Sequence, residues 1–395
     1  MRGNTKSMVI GGVSSLIALA VGYFGTVFVL TAVIDRTPKP QPPVAIVVPV
    51  VPTLEFAAMG DMLAHDSVVT QAKSGSNYDF TKYFTAIKPL YSDADVVFCN
   101  PETPAAGNVL VISGYPSFNA PQEFPRDLSK VGCNMINLAT NHMYDKGAAG
   151  IDVTLTNWQA EKPLAIAGAY RTLVDSKNVS YFTKNDIKVA FLAYRDFSNA
   201  AVPNDYAVPS YHDEAAVREQ LTEARKNADL VVVSAHWGTE DSTVVNDDQK
   251  EAARLFAELG ADVVIGTGPH VVQAVDTIPR DQKPATIVWY SLGNMLSSQL
   301  QVNELTGVIA KFTVTKQDSG ITISKLEARP TFMSYDWTVA DRAAERLSGR
   351  TNLKLQPLGD ASNEITAMFP NETSKSRQEF LTKTLGSQAS VTFVP

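Results

Sequence analysis

Ile136-Asn137-Leu138-Ala139-Thr140-Asn141-His142 reads as a short apolar strand that ends in an amide and an imidazole. Polar side chains directly after a buried strand are typical of open α/β sheets, which bind ligands at the carboxyl ends of their strands. Further strand-like runs end at, or lead into, Asp61, Asn100-Pro101-Glu102, His236 and His270. This repetition predicts one polar functional site at one edge of a sheet.

Strand-like and helical patterns alternate through most of the chain. Predicted strands cover residues 94–99, 135–139, 189–194, 230–235, 263–266 and 287–291, and predicted helices cover 80–90, 121–131, 148–161, 213–227 and 249–259. Strands that alternate with helices of this length predict an α/β fold, with a layered β-sheet core and flanking helices. Residues 308–315 and 321–328 predict a closing hairpin, and the weak pattern of 170–186 is compatible with another strand pair.

The N-terminal part of the chain predicts a membrane anchor. Residues 8–34 contain no charged side chain, and this run exceeds the roughly 20 residues that cross a bilayer. Arg2 and Lys6 precede it, which favours a cytoplasmic N-terminus for residues 1–7. The alternative is a cleaved secretory signal, for which Thr31-Ala32-Val33-Ile34 is a poor cleavage site.

The remainder divides into a linker, a main domain and an extension. Residues 35–52 hold six prolines, a density that favours an extended polyproline spacer. Residues 53–337 carry all the strand-end motifs, and polar helical patterns in 338–395 predict a helical C-terminal extension outside the site. We therefore expect a single-pass protein of the cell membrane, with its main domain on the extracytoplasmic side.

Charge and cysteine content exclude some classes of protein. The formal net charge is −7, and a nucleic-acid-binding surface would need clustered lysine and arginine, so we expect no nucleic-acid partner. Cys99 and Cys133 are too few for a disulfide framework. We expect two buried thiols, with a disulfide or a reactive role as the alternatives.

The residue types at the strand ends suit a divalent metal ion. Carboxylate, carboxamide and imidazole groups together favour Mn, Fe or Zn. Two such ions would activate water and stabilise both oxygens of a displacement reaction. The candidate residues are Asp61, Asn100, Glu102, Asn141, His142, His236 and His270.

Each motif taken alone also has a structural explanation. Asp61 could belong to a turn or cap a helix, and Glu102 could be a solvated carboxylate. Asn141-His142 could be a hydrogen-bonded loop pair, and His236 could lie satisfied beneath a core aromatic. The recurrence of the pattern at five strand ends favours the functional interpretation of the group.

Another strand-end segment, Ser291-Leu292-Gly293-Asn294, predicts a tight glycine turn at the same edge. Ser291 and Asn294 are therefore candidates to support the ligands or to contact substrate. The chain lacks the Gly-x-Ser-x-Gly turn of serine hydrolases.

The strand-end motifs also resemble those of a known family. The similar segments are 60–63, 100–104, 138–142, 236–238, 266–271 and 290–294. In this order they look like the motifs of the CapA/PgsA capsule-biosynthesis family, over roughly residues 53 to 330. The resemblance implies a fold similar to calcineurin-like metallophosphoesterases, membrane anchoring and a role in producing poly-γ-glutamate capsule.

The resemblance also implies roles for individual residues. The metal ligands would be Asp61, Glu102, Asn141, His236 and His270. His142 would be the general acid that protonates a leaving group. Where the family has His-Pro-His, this chain has Gly268-Pro269-His270, so one ligand of the second metal is replaced; His65 is a candidate to compensate.

Two functions remain open from the sequence. The first is a metal-dependent hydrolase or transferase, with one or two divalent ions, acting on amide, γ-glutamyl or phosphoester bonds. The second is a non-catalytic subunit that binds polymer and helps to assemble a capsule-synthesis complex. The expected partners are the membrane, an anionic surface polymer or its precursor, and membrane-embedded synthase proteins.

Overall fold

The computed structural model of the chain describes residues 51–281, 283–386 and 390–394. The predicted N-terminal segment 1–7, the anchor 8–34 and nearly all of the linker 35–52 lie outside these residues. Among the helices that are described, none is both long enough and apolar enough to cross a bilayer.

The elements follow one another along the chain as strands and mostly short helices. The strands are β1 (Thr53–Met62), β2 (Lys73–Ser74), β3 (Asn77–Tyr78), β4 (Val96–Pro101), β5 (Met135–Asn137), β6 (Ala165–Ala167), β7 (Ser180–Lys184), β8 (Ile187–Arg195), β9 (Leu230–His236), β10 (Val263–Thr267), β11 (Val275–Arg280), β12 (Lys283–Trp289), β13 (Asn294–Leu296), β14 (Thr306–Gln317), β15 (Gly320–Asp336), β16 (Thr351–Pro357) and β17 (Thr392–Phe393). The α-helices are α1 (Asp66–Ala72), α2 (Thr81–Phe84), α3 (Glu123–Val131), α4 (Gly147–Ala160), α5 (Leu173–Ser176), α6 (Glu214–Asn227), α7 (Asp247–Glu258), α8 (Val339–Ala343), α9 (Ser362–Met368) and α10 (Ser374–Leu385). Short 3₁₀ helices lie at Lys88–Leu90, Asp205–Ala207, Leu347–Gly349 and Leu358–Ala361.

Two β-sheets form the framework. The larger has the strand order β16-β15-β14-β1-β4-β5-β6, with β13 beside β1 and β17 beside β15, and the smaller has the order β11-β12-β10-β9-β8-β7. Strands β1, β4, β5 and β6 run parallel, as do β8, β9, β10 and β12. Helices connect most of these parallel strands, as parallel pairing requires. The prediction of a layered α/β fold is confirmed.

The side chains of β8 show how the layers pack. Because successive side chains of a strand point to opposite faces, Val189, Phe191 and Ala193 enter the core shared with the larger sheet. The ring of Phe191 meets that of Phe98 in β4 with centroids 6.1 Å apart. Leu192, on the other face, packs with α6 and α7 in a second apolar cluster. The smaller sheet therefore lies between the larger sheet and these two helices.

Two predicted segments differ from the structure. The predicted helix 80–90 is interrupted, because Pro89 has no amide hydrogen and disfavours a helical residue before it. Only α2 and a 3₁₀ turn at Lys88–Leu90 remain. In 170–186, a short helix precedes β7, which pairs antiparallel with β8.

The C-terminal segment 338–395 contributes to the larger sheet. Strand β16, which the sequence analysis did not predict, pairs antiparallel with β15. Its Leu353 and Leu355 are buried, and Leu381 and Leu385 of α10 join the main core. Residues 351–357 are therefore an edge strand of the sheet.

Cys99 and Cys133 form a disulfide bond, so the expectation of two thiols was wrong. Cys99 lies opposite Ile136 in the parallel pairing of β4 with β5, and Cys133 leads into β5. The two Cα atoms are therefore only 5.7 Å apart. Composition alone could not show this proximity, because it depends on the register of two strands.

Removing the disulfide should destabilise the fold. The bond joins residues separated by 34 positions, and closing a loop of that size destabilises the unfolded chain by about 4 kcal/mol. The double variant Cys99→Ala/Cys133→Ala should lose a free energy of unfolding of this size in a denaturant titration. As a control, a reductant added during unfolding should shift the wild-type midpoint to that of the variant. Equal midpoints for oxidised wild type and variant would contradict the prediction.

Candidate metal centre

Strand ends from both sheets meet around three buried side chains. Asp61 lies in β1, Glu102 follows β4, and His270 follows β10. One ligand atom from each lies within 4.8 Å of the others. The sequence analysis placed these residues at one sheet edge, whereas the structure gathers them from two facing sheets. The difference arises because alternation of strands and helices does not show which sheet a strand joins.

Asp61 is held by donors from both sheets. Its Oδ1 accepts a hydrogen bond from Asn100 Nδ2 at 2.6 Å. The backbone N–H of Gly268 donates to both carboxylate oxygens, at 3.2 and 3.1 Å. Burial raises the pKa of Asp61, but His270, His236 and the Gly268 N–H together outweigh burial and hold the pKa below its usual value. Asp61 is therefore kept as a carboxylate.

The position of Asp61 depends on the glycine before it. A Cβ atom on Gly60 would lie 1.8 Å from the carbonyl oxygen of Gly293, so only glycine fits there. That same oxygen accepts a hydrogen bond from the Asp61 N–H at 3.0 Å. Ser291 Oγ in turn accepts from the N–H of Gly293 at 3.1 Å. Ser291 thus supports the turn that holds Asp61.

Glu102 is a buried carboxylate without a hydrogen-bond donor. Both of its carboxylate oxygens are fully buried and have no partner among the described residues. The nearest imidazole nitrogens, in His236 and His270, lie 3.6 and 3.8 Å from Oε1, too far for a hydrogen bond. Burial raises the pKa of Glu102 well above its usual value. A buried charge in this position is costly unless a cation stabilises it, so these oxygens fit a metal ion.

His236 lies between two polar partners at the end of β9. Its Nε2 is 3.0 Å from Asn141 Oδ1, and its Nδ1 is 3.0 Å from Thr267 Oγ1. Burial lowers the pKa of His236 to about 3, so the ring is neutral, which is the form that binds a metal ion. The hydrogen bond brings Asn141 into the cluster beside Glu102.

His270 occupies a strained backbone position. Its φ angle is +61°, which costs a non-glycine residue roughly 1–3 kcal/mol and is typical of functional sites. Its Nδ1 lies 3.2 Å from Asp61 Oδ2 and 3.1 Å from Asn294 Oδ1. Burial lowers the pKa of His270, but the carboxylates of Glu102 and Asp61 raise it to about 10. Because its Oδ1 contacts Nδ1 of His270, Asn294 helps to orient this ring.

Gly268 stands where the resemblance implies a histidine, and the structure explains why no side chain fits. Its φ angle is +106°, and an added Cβ would lie 2.9 Å from the carbonyl oxygen of Trp237. The residue instead gives its N–H to Asp61. A histidine at this position would require a different backbone, so the replaced ligand is lost from this site.

His65 does not take the place of that ligand. Its Nδ1 accepts a hydrogen bond from the Ser298 N–H at 3.4 Å, and its ring packs edge-on against Phe118 with centroids 5.5 Å apart. Among the described residues it has no polar contact with Asp61 or Glu102, whereas His236, which also lies outside the three-residue cluster, is 3.6 Å from Glu102 Oε1. Burial lowers the pKa of His65 to about 3. Its role is packing beside the site.

His142 is buried and held on both sides of its ring. Its Nδ1 lies 2.8 Å from Asp145 Oδ2, and its Nε2 lies 3.0 Å from Asn199 Nδ2. The ring also meets Phe118 edge-on, with centroids 4.7 Å apart. The carboxylate on Nδ1 fixes the ring orientation, and the amide of Asn199 contacts the other nitrogen.

Sequence reasoning missed several residues that position this cluster. Asp145 follows His142 by three residues, and that spacing could have indicated it. Asn137 Nδ2 donates to Asn100 Oδ1 at 2.6 Å, so it supports Asp61 indirectly. Nothing local in the sequence indicates Asn199, because it lies 57 residues along the chain from His142, which it contacts.

Comparison with known proteins finds capsule proteins. The family model described as "Bacterial capsule synthesis protein PGA_cap" matches residues 55–299. "PGA biosynthesis protein CapA" of Bacillus subtilis (strain 168) is 30% identical over 275 residues, which are 68% of this chain and 69% of that protein. "Capsule biosynthesis protein CapA" of Bacillus anthracis is 29% identical over 234 residues, 57% of this chain and 56% of that protein.

Two solved structures are more distantly similar. A hypothetical protein from Thermus thermophilus has a TM-score of 0.42 at 14% identity, covering 69% of this chain and 97% of that one. A 5'-nucleotidase from Candida albicans has a TM-score of 0.35 at 12% identity, covering 65% and 47%. At these TM-scores the two likenesses show nothing further about this chain.

Proposed function

Because this chain belongs to the bacterial capsule synthesis family described as PGA_cap, we propose that it produces or remodels an anionic surface polymer through a metal-dependent site. The proposed polymer belongs to the poly-γ-glutamate class. The observation that carries metal dependence is Glu102, whose two buried oxygens have no partner among the described residues. Asp61 and His270 lie close enough to share one ion with it.

The chain's own residues suit a divalent ion of intermediate hardness. Asp61, Glu102, His236 and His270 would hold it, with the amide oxygen of Asn141 beside them. This mixture of carboxylate and imidazole favours Mn, Fe or Zn. When bound, the ion would polarise a substrate oxygen and lower the pKa of a bound water. The glycine at the position of the lost histidine supports one firmly held ion over two.

His142 supplies the proton for the leaving group in this proposal. Asp145 holds Nδ1, so Nε2 is the atom that donates the proton. Asn199 Nδ2, itself a donor, lies 3.0 Å from the same nitrogen and would have to release it when Nε2 carries the proton. The reaction class is hydrolysis or transfer at an amide, γ-glutamyl or phosphoester bond, in which protonation by a buried imidazole assists departure.

The disulfide supports an extracytoplasmic location for the main domain. Disulfides persist in oxidising compartments and are rare in the cytosol. The bond between Cys99 and Cys133 is buried within the fold. Together with the charge-free segment 8–34, it supports a membrane-anchored protein whose main domain faces outward.

A second candidate function is a non-catalytic subunit that binds polymer and assembles with a membrane-embedded synthase. Gly268 favours it, because the replaced ligand weakens the second half of a two-metal site. The two functions differ in whether the metal cluster is needed for surface polymer. A variant that alters only the cluster therefore separates them.

Deletion of the gene in its own bacterium should remove or shorten the surface polymer. Plasmid-borne wild type should restore it, whereas Glu102→Gln should fail although the protein is present at normal level. The readout is the amount and chain length of polymer released from washed cells. Restoration by Glu102→Gln would favour the assembly subunit. Unchanged polymer after deletion would contradict the proposal as a whole.

A further inference from the structure

Arg195 ends β8 beside the metal cluster. In the parallel pairing of β8 with β9 its partner is His236. By the alternation of the strand, Arg195 shares the inter-sheet face with Val189, Phe191 and Ala193. Facing residues on neighbouring strands lie about 5 Å apart at their Cβ atoms. The side chain of Arg195 therefore begins next to His236, a candidate metal ligand.

The side chain of Arg195 is largely buried, and no carboxylate among the described residues lies within ion-pair distance of it. The residue is 7% exposed, and its Nε has no hydrogen-bond partner among the described residues. Its one hydrogen bond within the described chain is a long one, from Nη1 to the carbonyl oxygen of Asp196 at 3.4 Å. Asp196 and Asp205 influence it only from a distance.

Two other arginines with largely enclosed guanidinium groups are paired. Arg280 Nη2 and Arg225 Nη1 each donate to the carboxylate of Asp262 at 2.8 Å. Such pairing is expected, because an uncompensated buried charge is strongly destabilising. Arg350, which is 5% exposed, also has no ion pair, but its Nε donates to the carbonyl oxygen of Leu347 at 2.7 Å, whereas the Nε of Arg195 has no partner among the described residues. The positive charge of Arg195 can therefore pair with an anionic ligand, because no carboxylate of the described chain forms an ion pair with it.

The backbone around Arg195 is fixed from both sides. Its own N–H donates to the carbonyl of Pro209 at 2.9 Å, and the N–H of Asp196 donates to the carbonyl of His236 at 2.8 Å. Four residues later, the Asn199 amide contacts His142. The chain therefore leads directly from Arg195 to the proposed general acid, and the arginine has little freedom to move away.

We propose that Arg195 binds an oxyanion of the substrate, a carboxylate or a phosphate, next to the metal cluster. The planar guanidinium matches both groups with two parallel hydrogen bonds. In a γ-linked glutamate polymer every amide bond has a free carboxylate nearby, and in a phosphoester the phosphate oxygens are at the reacting centre. The inference rests on the proposed function for the site, and it adds the residue that selects a negative charge.

The test measures anion binding by calorimetry to full-length protein loaded with Mn²⁺. The probes are inorganic phosphate, a short γ-linked glutamate oligomer, and the same oligomer with its carboxylates converted to amides. One of the two charged probes, phosphate or the unmodified oligomer, should bind to wild type. Arg195→Gln should weaken that binding by roughly 10- to 100-fold. Arg195→Lys should recover part of the loss, and metal content should not change. The amide oligomer should bind wild type and Arg195→Gln alike.

Arg225→Gln is the matched control, since it removes an arginine already paired with Asp262. It should lower thermal stability and leave anion affinity unchanged. Arg195→Gln should instead weaken anion binding without lowering thermal stability. If Arg195→Gln loses phosphate binding alone, the role of Arg195 is upheld and a γ-linked glutamate substrate is contradicted. If it loses oligomer binding, both the role of Arg195 and the polymer substrate are upheld. Wild-type affinity in Arg195→Gln, or no binding of either anion to wild type, overturns the inference.

Discussion

Replacing Glu102 with glutamine should lower the affinity for Mn²⁺ or Zn²⁺ by more than about 100-fold, since even residues that only support metal ligands contribute 10- to 100-fold. The stability of the metal-free protein should stay the same or rise. Metal affinity is measured by competition with a chelating dye, and stability by thermal unfolding after exhaustive chelation.

The stability part of this prediction follows from the surroundings of Glu102. Its oxygens accept no hydrogen bond within the described chain, and burial raises its pKa well above the usual value. Because burial disfavours the charged form of Glu102, a neutral amide of the same shape costs the metal-free fold little. The carboxylate therefore serves binding rather than folding.

Asp262→Asn provides the matched control. Asp262 lies before the other end of β10, and its carboxylate accepts hydrogen bonds from Arg225, Arg280 and the Val231 N–H, each at 2.8 Å. Breaking this buried cluster should cost about 3–5 kcal/mol of unfolding free energy without changing metal affinity. Wild-type metal affinity in Glu102→Gln would show that Glu102 is not a ligand.

The strand-end residues of the site could be predicted because their pattern is local. An apolar run followed at once by a polar side chain is visible in a few residues, as at Asp61 and His236. The same locality identified the alternation of strands and helices. It also identified Asn294, which contacts His270 in the structure.

Features that depend on contacts between distant segments could not be predicted. The register of β4 with β5 decides that Cys99 and Cys133 are bonded. The return of the chain after β8 decides that Asn199 meets His142. Arg195 could not be predicted, because only the packed structure shows that its buried Nε has no hydrogen-bond partner among the described residues.

His142→Ala should slow the reaction most where the leaving group needs a proton. Loss of a general acid costs typically 10²- to 10⁴-fold in turnover. The probes are a γ-glutamyl alkyl amide with the corresponding γ-glutamyl nitrophenyl ester, and an alkyl phosphodiester with the corresponding nitrophenyl phosphodiester. Turnover of the alkyl compound should fall by this factor. The nitroaryl compound should be almost unaffected, because its leaving group departs without protonation.

His65→Ala is the matched control for this prediction. His65 and His142 are both buried and both pack edge-on against Phe118, so each variant loses a similar aromatic contact. Only His142 has Asp145 to orient its ring. His65→Ala should therefore lower stability and leave the ratio of rates on the two leaving groups unchanged. An equal loss on both leaving groups in His142→Ala, at unchanged metal content, would assign His142 to positioning and leave the proton to another donor.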